Sequence, residues 1–457
     1  MKKLKILYTS LNILISNRWF FNGLVFIGIF YFTFQLFVIS NIQPIWNVFA
    51  DPLDYQYQSK KDLFSLEFLS PSPNKFASPR PFTTSLFYKM ADSDPYKMIM
   101  LQKLTYGICT VLFSLIFISF IEPILLKIIT FYLFLFLFSW LNIVGWTNNV
   151  LSESTSTSLL FLWLGILLLF IKKNNWFITI LFCIVSFFFS FTRDSWPYII
   201  LITIVIISGV NFFKNKSDKL KNIFALLFCL TLFIVQGKTS EIGQRHKMPI
   251  FNVIVGRISK NDNHLKWFEK QGMPLASEIK KDFKDVDVDS DFGRPFIYSK
   301  YLDSKYLPLM DWAGKKGKSV YQLFLLSHPS YLLLFDQTNH QTNRIFCYNF
   351  YTYFHNTSKL SDFTETTFPL WDLTTTLVLV LLLFFVAIFV KNSLYTIPLL
   401  ITFLFFINSI ILYNADTMEV QRHLFITQII IQLLNIMCFS LLINVFINLI
   451  KRKPNGI

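Results

Sequence analysis

Apolar positions in this chain neither alternate nor form a one-sided stripe; they run on unbroken. Runs dominated by Leu, Ile and Phe occupy roughly 19–40, 104–121, 124–144, 155–171, 176–192, 197–213, 222–236, 371–390, 394–413 and 424–450. Each is close to the length that carries a helix across the hydrocarbon core of a bilayer. The pattern predicts an all-α polytopic membrane protein, a bundle of about ten transmembrane helices. Evenly spaced Gly is missing from the runs, which excludes a strand-by-strand outer-membrane barrel.

The spacing of the runs divides the chain. Residues 1–236 form an amino-terminal transmembrane region with a long first loop, 41–103. A mid-chain segment, 237–370, is mixed and polar, with Trp267, Trp312 and several tyrosines available for a modest core. Residues 371–457 form a carboxyl-terminal transmembrane region. Within the mid-chain segment, 319–335 alternates apolar and polar residues around His328-Pro329. That stretch is expected to be an amphipathic or re-entrant helix at the membrane interface rather than a further span.

Charge orients the bundle. The formal net charge is +15, but many of the cations sit in short clusters at the ends of apolar runs, which speaks for topology and against a nucleic-acid partner. With the amino terminus inside, the inner segments carry Lys2, Lys3, Lys5 and Arg18; Lys127; Lys172 and Lys173; Lys214, Lys216, Lys219 and Lys221; Lys391; and Lys451, Arg452 and Lys453. Only Glu122 and Asp218 oppose them there. Ten crossings with both termini cytoplasmic satisfy the positive-inside rule and put the first loop and the mid-chain segment outside. The amino-terminal Met1-Lys-Lys-Leu-Lys leads into a full-length run without a small-residue cleavage site, unlike a removed leader. Of the five cysteines, all but Cys347 fall inside the runs, so neither a disulfide framework nor a metal cluster is implied.

Chemistry-bearing residues recur at the outer ends of the runs. The first loop opens with Asp51-Pro-Leu-Asp54-Tyr55, continues to Ser78-Pro-Arg80-Pro-Phe82 and closes with Asp92-Ser-Asp94-Pro95. Further along come Asn148-Asn149 with Glu153, Thr192-Arg193-Asp194, Arg245-His246, Asn252 with Arg257, and Asp416, Glu419, Arg422 and His423. If the helices bundle, these ends converge on one external cavity at membrane level. Paired acids suit the deprotonation of a hydroxyl or the holding of a cation, and arginine suits a phosphate through its two-pronged fork.

These stretches resemble the GT-C glycosyltransferases, multi-span enzymes that take sugar from a polyprenyl-phosphate carrier on the extracytoplasmic face. The likeness lies in Asp51-Pro-Leu-Asp54-Tyr55, Ser78 to Tyr88, Asn149 to Glu153, Thr192-Arg193-Asp194, Leu326 to Tyr331, and Glu419 to His423, each motif short. The resemblance implies a multi-pass protein of the cell (cytoplasmic) membrane that transfers a sugar from a lipid-linked donor to a glycan, lipid or protein acceptor. One of Asp51 and Asp54 would be the general base; Arg80, Asn149, Glu153, Arg193, Arg257, Arg422 and His423 would bind substrate. Some members carry a large carboxyl-terminal soluble domain, which has no counterpart here. The rival readings are a polymerase or ligase of lipid-linked glycans and a non-enzymatic transporter. The near-absence of acids at mid-run counts against an ion-coupled transporter.

Each residue also has a purely structural explanation. Asp51 and Asp54 can terminate a helix, Glu153 can complement a helix dipole, Arg193-Asp194 can be a surface pair, and Arg422-His423 can snorkel. Asp92-Ser-Asp94 spells the DxD pattern that holds a divalent cation in many nucleotide-sugar transferases, and a divalent cation is the one cofactor it suggests. The run Asp285 to Gly293 starts like a calcium loop but has Ser290 and Phe296 where Gly and Glu belong, and reads as a solvated acidic turn. Asn356-Thr-Ser358 is a glycosylation sequon.

Overall fold

The computed structural model describes residues 18–39, 51–63, 65–69, 79–173, 175–214, 219–286, 293–301, 303–332, 373–390, 393–415 and 420–451. These are helical almost throughout. The bundle comprises α1 (Arg18–Phe34, prolonged by a π turn over Gln35–Ile39), α4 (Pro95–Ile118), α5 (Ile124–Phe138), α6 (Ser152–Lys173), α7 (Trp176–Ser190), α8 (Trp196–Lys214), α9 (Lys219–Ile242), α16 (Leu373–Val390), α17 (Ile397–Ala415) and α18 (Val420–Lys451). Two short helices of the first loop, α2 (Asp51–Ser59) and α3 (Phe82–Met90), lie between α1 and α4. The mid-chain segment supplies α10 (Lys247–Gly256), α11 (Asp262–Lys270), α12 (Ala276–Phe283), α13 (Gly293–Tyr301), α14 (Leu307–Trp312) and α15 (Lys318–Ser327).

Among the described residues, six helices are long and apolar enough to cross a membrane: Arg18–Val38, Pro95–Ile118, Ser152–Lys173, Lys219–Ile242, Leu394–Ala415 and Ile426–Ile450. Four shorter apolar helices, Ile124–Ser139, Trp176–Ser190, Trp196–Gly209 and Thr375–Val390, stand where the other apolar runs lie in the sequence. The chain is a multi-pass membrane protein, with lipid as the solvent of its outer helix faces.

Local chemistry sets the helix starts. Asp94 caps α4 by accepting from the Lys97 amide at 2.9 Å, with Pro95 in the first turn, and Asn175 caps α7 through the Ile178 amide at 2.9 Å. Between α3 and α4 the chain reverses through Asp92 and Ser93, both at positive φ (53° and 57°). The DxD pair thereby acquires structural work: Asp94 is the cap, and exposed Asp92 pairs with Lys97 at 2.8 Å.

Inside a bilayer, helices associate by close packing rather than by escape from water. The abundant phenylalanine provides that packing. Phe113 and Phe117 of α4 meet Phe134 of α5 edge to face at 5.3 and 5.2 Å, and Phe138 meets Phe161 of α6 at 4.6 Å. Helix α6 is the hub, buried along most of its length against α4 and α7. At the far end from the first loop, Lys172 snorkels over the Phe120 ring at 4.3 Å.

The mid-chain helices pack around a core of their own, centred on Phe251, Phe268, Phe283, Tyr306 and Phe324. This unit is seated on α17: the Tyr321 hydroxyl donates to the Asn414 carbonyl at 2.9 Å, and Arg257 lies 3.7 Å from the Tyr413 ring centre. The expected amphipathic stretch is α15, broken at His328 and resumed as a single turn, Pro329–Leu332. It buries Tyr321 and Phe324 in the mid-chain core and leaves Leu323 and Leu326 exposed. Residues 333–335, the sequon at Asn356, Cys347 and most of the acidic turn after Val286 lie outside the described residues.

Candidate active site

The site is organised by an extended strap, Pro79-Arg80-Pro81, laid across α2. Two prolines restrict the strap, and the Arg80 amide donates to Gln58 Oε1 at 3.3 Å while Gln58 Nε2 donates to the Phe68 carbonyl at 2.6 Å. Downstream, the Thr83 amide and hydroxyl donate to the carbonyls of Phe191 and Phe188 at 3.1 and 2.9 Å, fixing α3 to the end of α7. Upstream, Pro79 presses on Gly243 just beyond α9. A Cβ at Gly243 would sit 2.9 Å from Pro79 Cβ, so that approach requires glycine.

So held, Arg80 bridges the two acids of α2. Its Nε donates to Asp54 Oδ2 at 2.9 Å, its Nη2 lies 2.8 Å from the same oxygen, and Nη2 also donates to Asp51. Asp51 and Asp54 are three residues apart in the first turn of a helix, which sets both carboxylates on one side. They differ in access: the Asp54 side chain is 5 % exposed and the Asp51 side chain 21 %. Burial disfavours the Arg80 charge, but the two carboxylates outweigh it and push its pKa above the usual value. Tyr55 stacks on Tyr88 at 5.8 Å, and burial raises its pKa to about 12, so its phenol stays protonated.

Three more ion pairs follow around the same end of the bundle. Arg193, between α7 and α8, donates to Glu153 in the first turn of α6 at 2.7 Å, and both are largely buried. Asp194 takes Arg245 through Nε and Nη2 at 3.2 and 2.9 Å, and Gln236 of α9 adds a bond to the same carboxylate at 2.7 Å. Lys318, opening α15, lies 3.6 Å from Glu241. His246 meets the Gly314 carbonyl through Nε2 at 3.1 Å, which fixes the proton on that nitrogen; burial lowers its pKa and keeps the ring neutral.

These groups surround one cavity of about 540 Å³. Its polar wall includes Asp51, Arg80, Arg193, Asp194, Arg245 and Lys318; its apolar wall includes Tyr198, Phe233, Leu325 and Ile410 to Leu412. The lining comes from the first loop, from the first-loop ends of α6 to α9 and α17, and from the mid-chain unit. Of the candidates from sequence, Asp51, Arg80 and Arg193 line the cavity, with Asp54 and Glu153 paired to them. Asn149 does not line it: it is 1 % exposed, and neither side-chain amide atom has a hydrogen-bond partner among the described residues. Arg257 is not among the lining residues and donates to the Tyr413 carbonyl at 2.5 Å, tying the mid-chain unit to α17. The side chains of Arg422 and His423 lie outside the described residues. Asp92 and Asp94 are not part of the lining, and no group of three or more His, Cys, Asp or Glu suited to a metal occurs among the described residues.

Sequence reasoning left out Tyr55, Asp194, Arg245, Lys318 and Tyr321 as site residues. Arg245 was visible as a cation beyond the seventh run. Asp194 was adjacent to a candidate. Lys318 and Tyr321 gave no local sign, because only the seating of the mid-chain unit on the bundle brings them in. No protein-family model matches this chain, and no curated protein or solved structure matches it.

Proposed function

We propose that this protein is an integral-membrane glycosyltransferase that takes a sugar from a polyprenyl-phosphate donor and passes it to a glycan, lipid or protein acceptor on the extracytoplasmic face. The observation that carries this reading is the meeting of Asp51, Arg80 and Arg193 in a cavity at one end of a membrane bundle, with an apolar wall beside them. A lipid-linked sugar phosphate needs those two surfaces together, cations for the phosphate and hydrocarbon for the chain.

In this reading the chain crosses the bilayer ten times with both termini cytoplasmic, and the cavity faces outward. Asp51 accepts the proton of the acceptor hydroxyl as its oxygen bonds to the anomeric carbon. The bond from that carbon to the phosphate oxygen breaks, and the lipid phosphate departs with the electron pair. Arg80, Arg193 and Arg245 offset its charge, and such preorganised cations stabilise charge most effectively where water is scarce. Asp54, buried behind Arg80, positions the guanidinium. A divalent cation is not required by this scheme.

Purified protein in lipid should transfer sugar from a polyprenyl-phosphate donor and not from a nucleotide sugar. Turnover with the nucleotide sugar alone, in lipid-free detergent, would rule the reading out.

A further inference from the structure

Helix α15 has a definite depth in the membrane, because both of its ends are pinned to membrane spans. At its start, Lys318 lies 3.6 Å from Glu241, the last residue but one of the span Lys219–Ile242. One turn on, the Tyr321 hydroxyl donates to the carbonyl of Asn414 at 2.9 Å, and Asn414 is the last residue but one of the span Leu394–Ala415. Beyond the break at His328, Asn414 Nδ2 donates to the Leu332 carbonyl at 3.3 Å. The segment 318–332 therefore lies across the cavity ends of two spans instead of standing away from them.

Those contacts bracket the helix between two layers of the bilayer. On α9 the apolar run stops at Val235, and the mainly polar stretch Gln236 to Glu241 carries the helix into the headgroups. On α17 apolar residues continue to Leu412 and Tyr413, so Asn414 marks the edge of the hydrocarbon. Lys318 thus sits at headgroup level and Leu332 at the hydrocarbon edge, with α15 between them. Leu323 and Leu326 fall in that interval, spaced to share one side of the helix. They are 51 % and 77 % exposed, and neither lines the large cavity. Half-buried Trp267 and His328 gather at the same helix: the His328 ring stacks on Phe324 at 4.2 Å, and Trp267 stands 5.8 Å from His328. Rings with an apolar body and a polar edge favour the boundary between lipid and water.

We propose that α15 is an interfacial helix whose Leu323 and Leu326 insert into the cavity-side leaflet, so that lipid as well as α17 holds the mid-chain unit to the membrane. Facing water, the two leucines would order solvent around bare hydrocarbon; at this depth acyl chains beside the headgroups cover them instead. Lys318 keeps its ammonium among the headgroups, next to Glu241. This membrane contact is independent of the transferase reading, since it involves none of the residues given a step in that reaction.

The test is spin-label accessibility in full-length protein reconstituted in phosphatidylcholine vesicles, with the five native cysteines replaced. Cysteines are introduced singly at Leu323 and Leu326, at exposed Lys281 of α12 as a water control, and at exposed Leu227 of α9 as a lipid control. Oxygen concentrates in hydrocarbon, whereas nickel ethylenediaminediacetate stays in water. The ratio of oxygen to nickel collisions at Leu323 and Leu326 should rise well above the Lys281 value and approach that of Leu227. A ratio equal to that of Lys281 would place the leucines in water and overturn the proposal. Low collision with both reagents would show a protein surface over them and would overturn it too. A second measurement needs no substitution: wild-type protein is irradiated in vesicles whose phosphatidylcholine carries a diazirine near the carbonyl end of one acyl chain. Adducts should map to 318–332 as well as to the spans; adducts in the spans with none in 318–332 would also sink the idea.

Discussion

Arg80 holds Asp54 through two nitrogens on one carboxylate oxygen, at 2.9 and 2.8 Å, although the two residues belong to separate parts of the first loop. Asp54 is almost fully covered, so this contact decides whether its charge is tolerable where it sits. Replacing Arg80 with Ala leaves that carboxylate without its guanidinium. Breaking a buried pair from one side typically destabilises by about 3 kcal/mol or more. Arg80→Ala should lower the melting temperature, and Arg80→Ala combined with Asp54→Asn should recover part of the loss. An additive loss in the double variant would contradict the pairing.

The strap that carries Arg80 gives a prediction at a distance from any charge. Pro79 packs on the bare Cα of Gly243, and neither partner is a flexible chain end. Gly243→Ala should push the strap outward and destabilise by about 1–3 kcal/mol, as overpacking does. Thermal melts of Gly243→Ala and Gly237→Ala compare the crowded site with one where an added Cβ meets nothing within 4 Å. An equal effect at both would mean the strap does not rest on Gly243.

His246 gives a pH dependence with a definite sign. Burial lowers its folded pKa below the ordinary value of 6.5, so below about that pH the unfolded chain binds more protons than the folded one. Its contribution is therefore fully present above pH 6.5 and is lost as pH falls through the folded pKa. Melting temperatures measured from pH 7.5 down to 5.0 should fall for the wild-type protein and fall less for His246→Gln. Parallel curves would show that His246 does not titrate on unfolding.

The membrane class was legible because lipid enforces it: a run of apolar residues long enough to span leaves the backbone no option but helix. The convergence of Asp51, Arg80 and Arg193 was legible for the same reason, since successive spans return alternate ends to one face. What could not be read was pairing. Nothing in the string says that Asp194 takes Arg245 while its neighbour Arg193 takes Glu153; that depends on how α6, α7 and α9 rotate about their axes. Nor does it reveal that Arg257, a cation like the others, stacks on Tyr413 to seat the mid-chain unit. Asp92 and Asp94 show the reverse case, a suggestive spacing absorbed by a tight turn and a helix cap.

The two acids of α2 allow the sharpest test of the proposed chemistry, because the structure distinguishes their surroundings. Asp51 lines the cavity, while Asp54 is buried against Arg80 and absent from the lining. Under the proposed chemistry a base must reach the acceptor hydroxyl, which would give Asp51 the proton and leave Asp54 to fix the guanidinium. Asparagine keeps the size and the hydrogen bonding of either residue but accepts no proton. Asp51→Asn should therefore reduce kcat by about a hundredfold to ten-thousandfold, the usual range for loss of a general base, with folding unchanged. Asp54→Asn should weaken the hold on Arg80, raising KM for the phosphate-bearing donor more than it lowers kcat, and should lower the melting temperature. Steady-state kinetics with a polyprenyl-phosphate sugar separates the two. A large kcat loss in Asp54→Asn with Asp51→Asn near wild type would reverse the roles. Near wild-type transfer by both variants and by their double would remove the first loop from the chemistry.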